Sequence, residues 1–198
     1  MGVEVIQGRA RITSPWTVEV DGRVLTTRAI VIAAGAEPLV PPIPGLDQVD
    51  YLTSDTVWNL RERPDRLVVL GGGPIGSELS QAFARLGAQV TQVEMADRIM
   101  GKEDPEVSEA VVERFRAEGI GVRTGHKGKA VELVDGQPQL LVETPAGDEE
   151  RIPFDRILLA LGRKKEATRI YQHLRDTRKD PAEAYIREAA EHALKRMD

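Results

Sequence analysis

A glycine-rich segment near the middle of the chain matches the pattern G-x-G-x-x-G: Gly71, Gly72, Gly73, Pro74, Ile75 and Gly76. This spacing is typical of a turn that holds a dinucleotide pyrophosphate, provided that a buried strand precedes it and a helix begins within it. Gly71 would permit the tight turn, Gly73 would keep a Cβ away from the phosphates, and Gly76 would let the helix pack on the strand. The helix N-terminus would add free N–H groups and about half a positive charge. The alternative is that these glycines only form a close turn.

An acidic residue follows at the position where such a unit needs one. Glu94 closes the next strand, about 20 residues beyond the glycines, where a carboxylate accepts hydrogen bonds from both hydroxyls of a ribose. A 2′-phosphate would meet a like charge there, so the sequence favours NAD(H) over NADP(H). Two alternatives stay open: Arg98 would reach a 2′-phosphate if its loop folded back, and Glu94 would otherwise be a solvated strand end.

Glu78 is the acidic candidate for a role in a reaction. It lies early in the helix that contains Gly76, so it would stand near a bound nicotinamide or be a surface glutamate near the favourable helix N-terminus. Its position alone leaves both interpretations open. The three histidines lack the spacing of a zinc-binding pair: His126, His173 and His192.

The composition argues against several classes of function. The 198 residues carry a net charge of −5 and no long run of Lys or Arg, which argues against nucleic-acid binding. No apolar stretch approaches the ~18–20 residues of a membrane span, and no secretory signal pattern opens the chain, so we expect a cytoplasmic protein without a membrane segment. Because cysteine is absent, these residues contain no disulfide, thiolate metal site, cysteine nucleophile or dithiol redox centre.

The first of three segments, residues 1–46, is predicted to be β-rich. Some of its stretches alternate apolar with polar residues and one is continuously apolar. It also contains Asp21-Gly22, which is typical of a hairpin turn, and a proline-rich end that marks a linker. The apolar run 29–35 predicts a strand buried on both faces. The other predicted strands are 3–6, 9–12, 16–20 and 23–26.

Residues 47–163 alternate strands with helices, which predicts a Rossmann-like α/β domain with a parallel sheet and flanking helices. The predicted strands are 67–70, 89–94, 120–123 and 157–162. The predicted helices are 74–86 and one that starts at Pro105 and stops at Gly119. Stretches 130–134 and 139–144 flank Asp135-Gly136 and predict an antiparallel excursion. Residues 164–198 show two amphipathic helical stripes and no strand signal, which predicts a helical tail of unknown role.

Three blocks of sequence resemble the middle of the pyridine nucleotide-disulfide oxidoreductases, and most of all mercuric reductase. Residues 33–38 resemble the A-T-G-x-x-P element that closes the first part of the family's FAD domain, with Ala34 in place of Thr. The second block, residues 71–78 followed by Glu94, resembles the NAD(P) domain. The third block, residues 159–163, resembles the strand that returns the chain to the FAD domain and contains Gly162.

The resemblance implies a reaction in which NAD(P)H passes a hydride to FAD and the electrons go on to a disulfide or another acceptor. It places Glu78 near the nicotinamide–flavin junction and assigns cofactor binding to residues 71–76, Glu94 and Gly162. Four features of the family have no counterpart here: its first G-x-G-x-x-G, its Cys-x4-Cys pair, its later G-D segment and its dimerisation domain. The sequence therefore indicates a fragment in which residues 1–46 are a remnant of the FAD domain, and FAD is expected of the parent family rather than of these residues.

Two functions stay open. The chain is the NAD(H)-binding portion of a flavin-dependent reductase, alone or with a partner chain that supplies the missing FAD elements. Alternatively, it is a non-catalytic nucleotide-binding or interaction module whose helical tail mediates packing or self-association as a homodimer. The first function is favoured because the dinucleotide motif has its glycines and its acid in the expected order.

Overall fold

The computed structural model describes residues 2–33, 35–161 and 163–165. Within them the chain forms two compact units, one made by the residues up to Glu37 with Lys164 and Lys165, the other by Pro38–Arg163. Apart from those two lysines, the predicted helical tail lies outside the described residues and stays a prediction. Neither described helix has the length and apolar character that crossing a bilayer requires.

A three-stranded antiparallel sheet lies in the first unit, in the order β1-β2-β3. The strands of this N-terminal region are β1 (Ala10–Ser14), β2 (Thr17–Val20), β3 (Arg23–Thr26) and β4 (Ala36–Pro38). Asp21 and Gly22 join β2 to β3 with φ of 47° and 85°. Because this left-handed backbone is what a two-residue Asp-Gly hairpin turn requires, the structure confirms the predicted hairpin.

Two predicted strands of this segment are wrong. Residues 3–6 and 29–33 form no strand, and Val3, Val5 and Val31 are 81%, 81% and 87% exposed. An apolar run is buried on both faces only when neighbouring strands and covering layers exist. None of the strands that the structure describes pairs with residues 29–33, so the apolar character alone does not fix a strand there.

A five-stranded sheet organises the second unit, in the order β5-β12-β6-β7-β8. The elements of this unit, in chain order, are β5 (Tyr51–Thr53), β6 (Arg66–Leu70), α1 (Pro74–Arg85), β7 (Gln89–Val93), α2 (Pro105–Ala117), β8 (Gly121–Arg123), β9 (Lys127–Val134), β10 (Gln137–Glu143), β11 (Glu149–Pro153) and β12 (Arg156–Leu159). All neighbouring strands of the five-stranded sheet are parallel. The predicted α/β class with a parallel sheet is therefore confirmed.

Strands β9, β10 and β11 form a separate antiparallel sheet in the order β11-β10-β9. Asp135 and Gly136 make its first turn with φ of 50° and 76°, as the sequence predicts. The third strand, β11, is missed by the sequence pattern because its residues are mostly charged. Strand β13 (Arg163–Lys165) pairs with β4 as a two-stranded sheet.

Apolar side chains fill both faces of the parallel sheet. On one face Leu70 packs in a cluster with Leu140 of the antiparallel sheet. On the other face Val69 packs in a cluster with Phe115 of α2. Because successive residues of a strand point to opposite faces, a strand covered on both sides is apolar throughout, as residues 67–70 are. This double burial fixes the end of β6, from which α1 starts.

Glu118 ties the two helices together just beyond the end of α2. Its carboxylate accepts a hydrogen bond from Gln81 Nε2 at 3.1 Å and pairs with Arg85 at 2.7 Å and with Arg114 at 2.5 Å. Hydrogen bonding from Arg85, supported by Arg114 and Gln81, lowers the pKa of Glu118 from 4.5 to about 2. The carboxylate therefore stays ionised well into the acid range.

Replacing Glu118 with glutamine should lower the thermal unfolding midpoint at pH 7. Because the folded-state pKa lies below the unfolded value, the ion pairs stabilise the fold above pH 4.5 and lose that contribution as the pH falls towards 2. The difference in midpoint between Glu118→Gln and the unaltered protein should therefore shrink across that interval. Melting curves at several pH values between neutrality and pH 3 measure it, and a pH-independent difference would contradict a charge-based origin.

Candidate functional site

The glycine-rich segment connects the end of β6 to the start of α1 at the carboxyl edge of the parallel sheet. Gly71 has φ of +118°, and a Cβ there would overlap the carbonyl oxygen of Ala160. A Cβ on Gly72 would lie 2.9 Å from the Cβ of Glu94. Both positions therefore need glycine. Gly71 needs it because of its positive φ and the nearby carbonyl of Ala160, and Gly72 needs it because of the nearby Glu94 side chain.

Gly73 and Gly76 differ in what surrounds them. A Cβ on Gly73 would meet no atom within 4 Å, so the backbone there borders open space. A Cβ on Gly76 would overlap the Gly71 carbonyl oxygen and would lie 3.2 Å from the Cβ of Ala160. The first arrangement leaves room for a ligand beside the backbone, and the second explains how α1 approaches the sheet so closely.

The N-terminus of α1 carries backbone amide groups that are not used within the described structure. Gly73 is the N-cap, no side chain caps the helix, and Pro74 has no N–H. The Ser77 amide is the first to bond back, to the Gly73 carbonyl at 2.9 Å. In the part of the chain that the structure describes, the amides of Gly73, Ile75 and Gly76 have no backbone or side-chain acceptor. Free amides and the helix dipole together favour an anion here.

Glu94 lies directly beyond β7 and joins the glycine turn to the following loop. Its Oε2 accepts a hydrogen bond from the Gly72 amide at 2.5 Å, and its Oε1 accepts one from the Ala96 amide at 2.8 Å. A carboxylate offers about four acceptor positions, so each oxygen keeps room for another donor. Glu94 thus holds the turn in place and can still accept hydrogen bonds from a ligand's hydroxyl groups.

A cleft of about 680 Å³ brings the turn and Glu94 together, a volume typical of a small-molecule site. It lies at the carboxyl ends of β6, β7 and β12, the edge at which open α/β sheets bind ligands. Residues with both signs of charge line it, namely Glu94, Glu103, Lys102 and Lys127, and His126 lies among them. The apolar part of the lining includes Met95 and Met100, which suits a ligand with flat rings and charged groups.

Arg98 is bound to its own loop. Its guanidinium donates hydrogen bonds to the carbonyls of Glu103 and Gly101, both at 2.8 Å. Arg98 is absent from the residues that line the cleft. The alternative in which Arg98 holds a 2′-phosphate would therefore require that both hydrogen bonds break.

Two other residues singled out from the sequence do not join this cluster. Glu78 is exposed on α1. It does not line the cleft, whereas Gly73 and Glu94 do. Pro74 lines the cleft, whereas the Ile75 side chain is 40% exposed and does not. Gly162 lies outside the described residues, so its assignment stays a prediction.

The sequence pattern does not predict that three basic residues line the cleft: Lys102, His126 and Lys127. The His126 amide donates to the Glu94 carbonyl at 3.0 Å, which holds the start of β9 against the end of β7. The sequence does contain a weak signal for His126 and Lys127. Both follow β8, the parallel neighbour of β7, so the carboxyl ends of the two strands meet at one edge.

A model of the pyridine nucleotide-disulphide oxidoreductase family matches residues 1–177 of the chain. The chain belongs to this family. Mercuric reductase from Staphylococcus aureus is 39% identical over 163 residues, which cover 82% of this chain and 30% of that protein. Dihydrolipoyl dehydrogenase from Thermus scotoductus is 36% identical over 165 residues, which cover 82% of this chain and 35% of that protein.

A solved structure shows the same relationship. The HOCl-induced flavoprotein disulfide reductase RclA from Escherichia coli matches with a TM-score of 0.65 and 29% identity, over 83% of this chain and 37% of that chain. The chain thus spans about a third of the length of the relatives that it matches. These findings confirm the family that the three sequence blocks resemble, a family of FAD- and NAD(P)-dependent disulfide oxidoreductases.

Proposed function

We propose that the cleft binds NAD(H), and that this chain is the NAD(H)-binding portion of a flavin-dependent pyridine nucleotide oxidoreductase. One observation carries the proposal. The open space beside Gly73, the free Gly73 amide at the start of α1 and the carboxylate of Glu94 all border one cleft. This combination suits a molecule with a pyrophosphate and a ribose, because the phosphates need donors and the ribose hydroxyls need an acceptor.

Different residues of the cleft would bind different parts of the dinucleotide. The amides at the start of α1 would donate to the pyrophosphate, and the missing side chain at Gly73 would let the phosphates approach the backbone. The Glu94 carboxylate would accept hydrogen bonds from the ribose hydroxyls. Lys102 and Lys127 line the same cleft and would balance the negative charge of the phosphates. When NADH is bound, its nicotinamide ring supplies a hydride for an acceptor such as a flavin.

The preference for NAD(H) over NADP(H) is part of the proposal. Glu94 is held by the amides of Gly72 and Ala96, so its negative charge stays at the position where a 2′-phosphate would lie. Arg98, the cation proposed to reach such a phosphate, is bound to two carbonyls of its loop. A 2′-phosphate would therefore meet repulsion without a compensating cation from Arg98.

The parent family's flavin chemistry is assigned to no residue of this chain. Within residues 2–33, 35–161 and 163–165, the spacing G-x-G-x-x-G occurs only at residues 71–76, between β6 and α1. The described residues therefore fit one dinucleotide and show no second cradle of this kind for FAD. The assignment of Glu78 near the nicotinamide rests on the family resemblance, and its exposed position on α1 leaves its side chain accessible.

Thermal unfolding of the full chain with and without NADH tests the proposal. A ligand at about 100 times its dissociation constant stabilises the folded state by about 2.7 kcal/mol, which raises the unfolding midpoint of a protein of this size by roughly 5 °C or more. NADH should give this shift, and nicotinamide alone, which lacks phosphates and ribose, should not. No shift with NADH at millimolar concentration would contradict the proposal.

A further inference from the structure

Gln92 is a polar side chain buried completely beneath the glycine turn. It lies on β7 and is 0% exposed, and Val90 and Val93 of the same strand are buried as well. Its Nε2 donates hydrogen bonds to the Gly71 carbonyl at 3.0 Å and to Ser77 Oγ at 3.3 Å. Its Oε1 has no partner among the described residues. Burial of the unpartnered Oε1 costs free energy. If this position served packing alone, an apolar side chain would stabilise the fold more.

One peptide group of the turn is held at both ends, by Gln92 of β7 and by Glu94 directly beyond that strand. The carbonyl of the peptide between Gly71 and Gly72 accepts the hydrogen bond from Gln92, and its N–H donates to Glu94 Oε2 at 2.5 Å. Gln92 and Glu94 are two positions apart, so they project to the same side of the extended chain. Together they fix the plane of this peptide.

The orientation of this peptide matters because both of its residues are glycine. Glycine crosses between backbone conformations with little steric cost, so rotation of this peptide is opposed mainly by its hydrogen bonds. In the observed orientation the Gly71 carbonyl points into the junction between sheet and helix, against the position of Gly76. A rotated peptide would turn that carbonyl oxygen towards the cleft, where it would repel a phosphate.

We propose that Gln92 is a positioning residue for the dinucleotide site, and that it locks the peptide between Gly71 and Gly72 in the orientation that admits a pyrophosphate. The inference rests on the proposed function and adds to it a residue that touches no ligand. It also explains why a glutamine occupies a position in the apolar core of the sheet. Preorganisation of this kind raises affinity because the bound conformation exists before the ligand arrives.

Replacement of Gln92 by methionine tests the proposal. Methionine has a similar length and fills the same space without a hydrogen-bond donor. The Gln92→Met protein should unfold at the same temperature as the unaltered protein or higher, while its dissociation constant for NADH should rise about tenfold. ADP-ribose, which keeps the pyrophosphate, should lose affinity equally, and AMP, which lacks it, should not. Ser80→Ala is the matched control, because Ser80 on α1 is buried and its hydroxyl has no hydrogen-bond partner among the described residues, and it should leave NADH binding unchanged.

A second readout separates this inference from the proposed function. Hydrogen exchange of the Gly72 amide, measured by NMR without any nucleotide, should become faster in Gln92→Met and in Gln92→Leu. Unchanged exchange, or unchanged NADH affinity in a protein that binds NADH before substitution, would overturn the role of Gln92 alone. A parallel loss of NADH, ADP-ribose and AMP affinity with a lower unfolding temperature would assign Gln92 a merely structural role. Failure of the unaltered protein to bind NADH would overturn both proposals.

Discussion

Replacement of Gly73 by glutamate should abolish NADH binding and leave the fold intact. The backbone of Gly73 has φ of −74°, which any residue adopts, and a Cβ there would meet no atom within 4 Å. The new carboxylate would occupy the space that we assign to the pyrophosphate and would repel its charge. We expect the dissociation constant for NADH to rise at least about 100-fold, which corresponds to about 2.7 kcal/mol. Isothermal calorimetry measures this change.

The control for this substitution places the same charge at the start of the other helix. Val107 lies in the first turn of α2, is 43% exposed and does not line the cleft. Val107→Glu should therefore bind NADH as the unaltered protein does. Equal NADH affinity in the Gly73→Glu and Val107→Glu proteins would show that the pyrophosphate does not lie beside the glycine turn.

Replacement of Glu94 by glutamine should weaken NADH binding and narrow the preference for NADH over NADPH. The amide side chain has only one oxygen, so it cannot accept hydrogen bonds from both Gly72 and Ala96 as the carboxylate does. We expect NADH affinity to fall about tenfold, the loss that a charged hydrogen bond of about 1.4 kcal/mol implies. NADPH affinity should fall less or rise, because the negative charge that opposes the 2′-phosphate is gone. Competition between the two nucleotides measures the ratio of affinities.

Glu106→Gln is the matched control for the loss of one negative charge. Glu106 lies in the first turn of α2 and does not line the cleft, so its substitution changes the net charge equally without touching the site. It should leave the ratio of NADH to NADPH affinity unchanged. If Glu94→Gln also left this ratio unchanged, Glu94 would not face the ribose of the bound nucleotide.

The parts of the site that could be predicted from sequence are those fixed by local chemistry. Gly71 needs a positive φ and Gly76 needs a missing side chain, and both requirements show in the spacing of the glycines. The parallel sheet is predicted because a short apolar strand, a helix and a second strand follow one another within residues 66–94. Glu94 directly follows β7, as predicted, because the apolar character that marks the strand ends at Val93.

The parts that could not be predicted depend on contacts between distant segments. Residues 29–33 are apolar, but the sequence cannot show that no described strand pairs with them. Lys102 and His126 reach the cleft from loops whose paths depend on the packing of α2 and β8. The hydrogen bonds that hold Arg98 within its loop are equally invisible in a sequence pattern. In the sequence Gln92 resembles any other polar residue of a strand, and only its hydrogen bond to the Gly71 carbonyl distinguishes it.

The most direct test of the central claim is a titration of the unaltered chain with NADH and, separately, with NADPH, followed by nucleotide fluorescence. We expect saturable binding of NADH with one site per chain and much weaker binding of NADPH. That result would establish the cleft at the end of β6 and β7 as a working NAD(H) site. Absence of saturable binding for either nucleotide would mean that the fold persists without its function, and would contradict the claim.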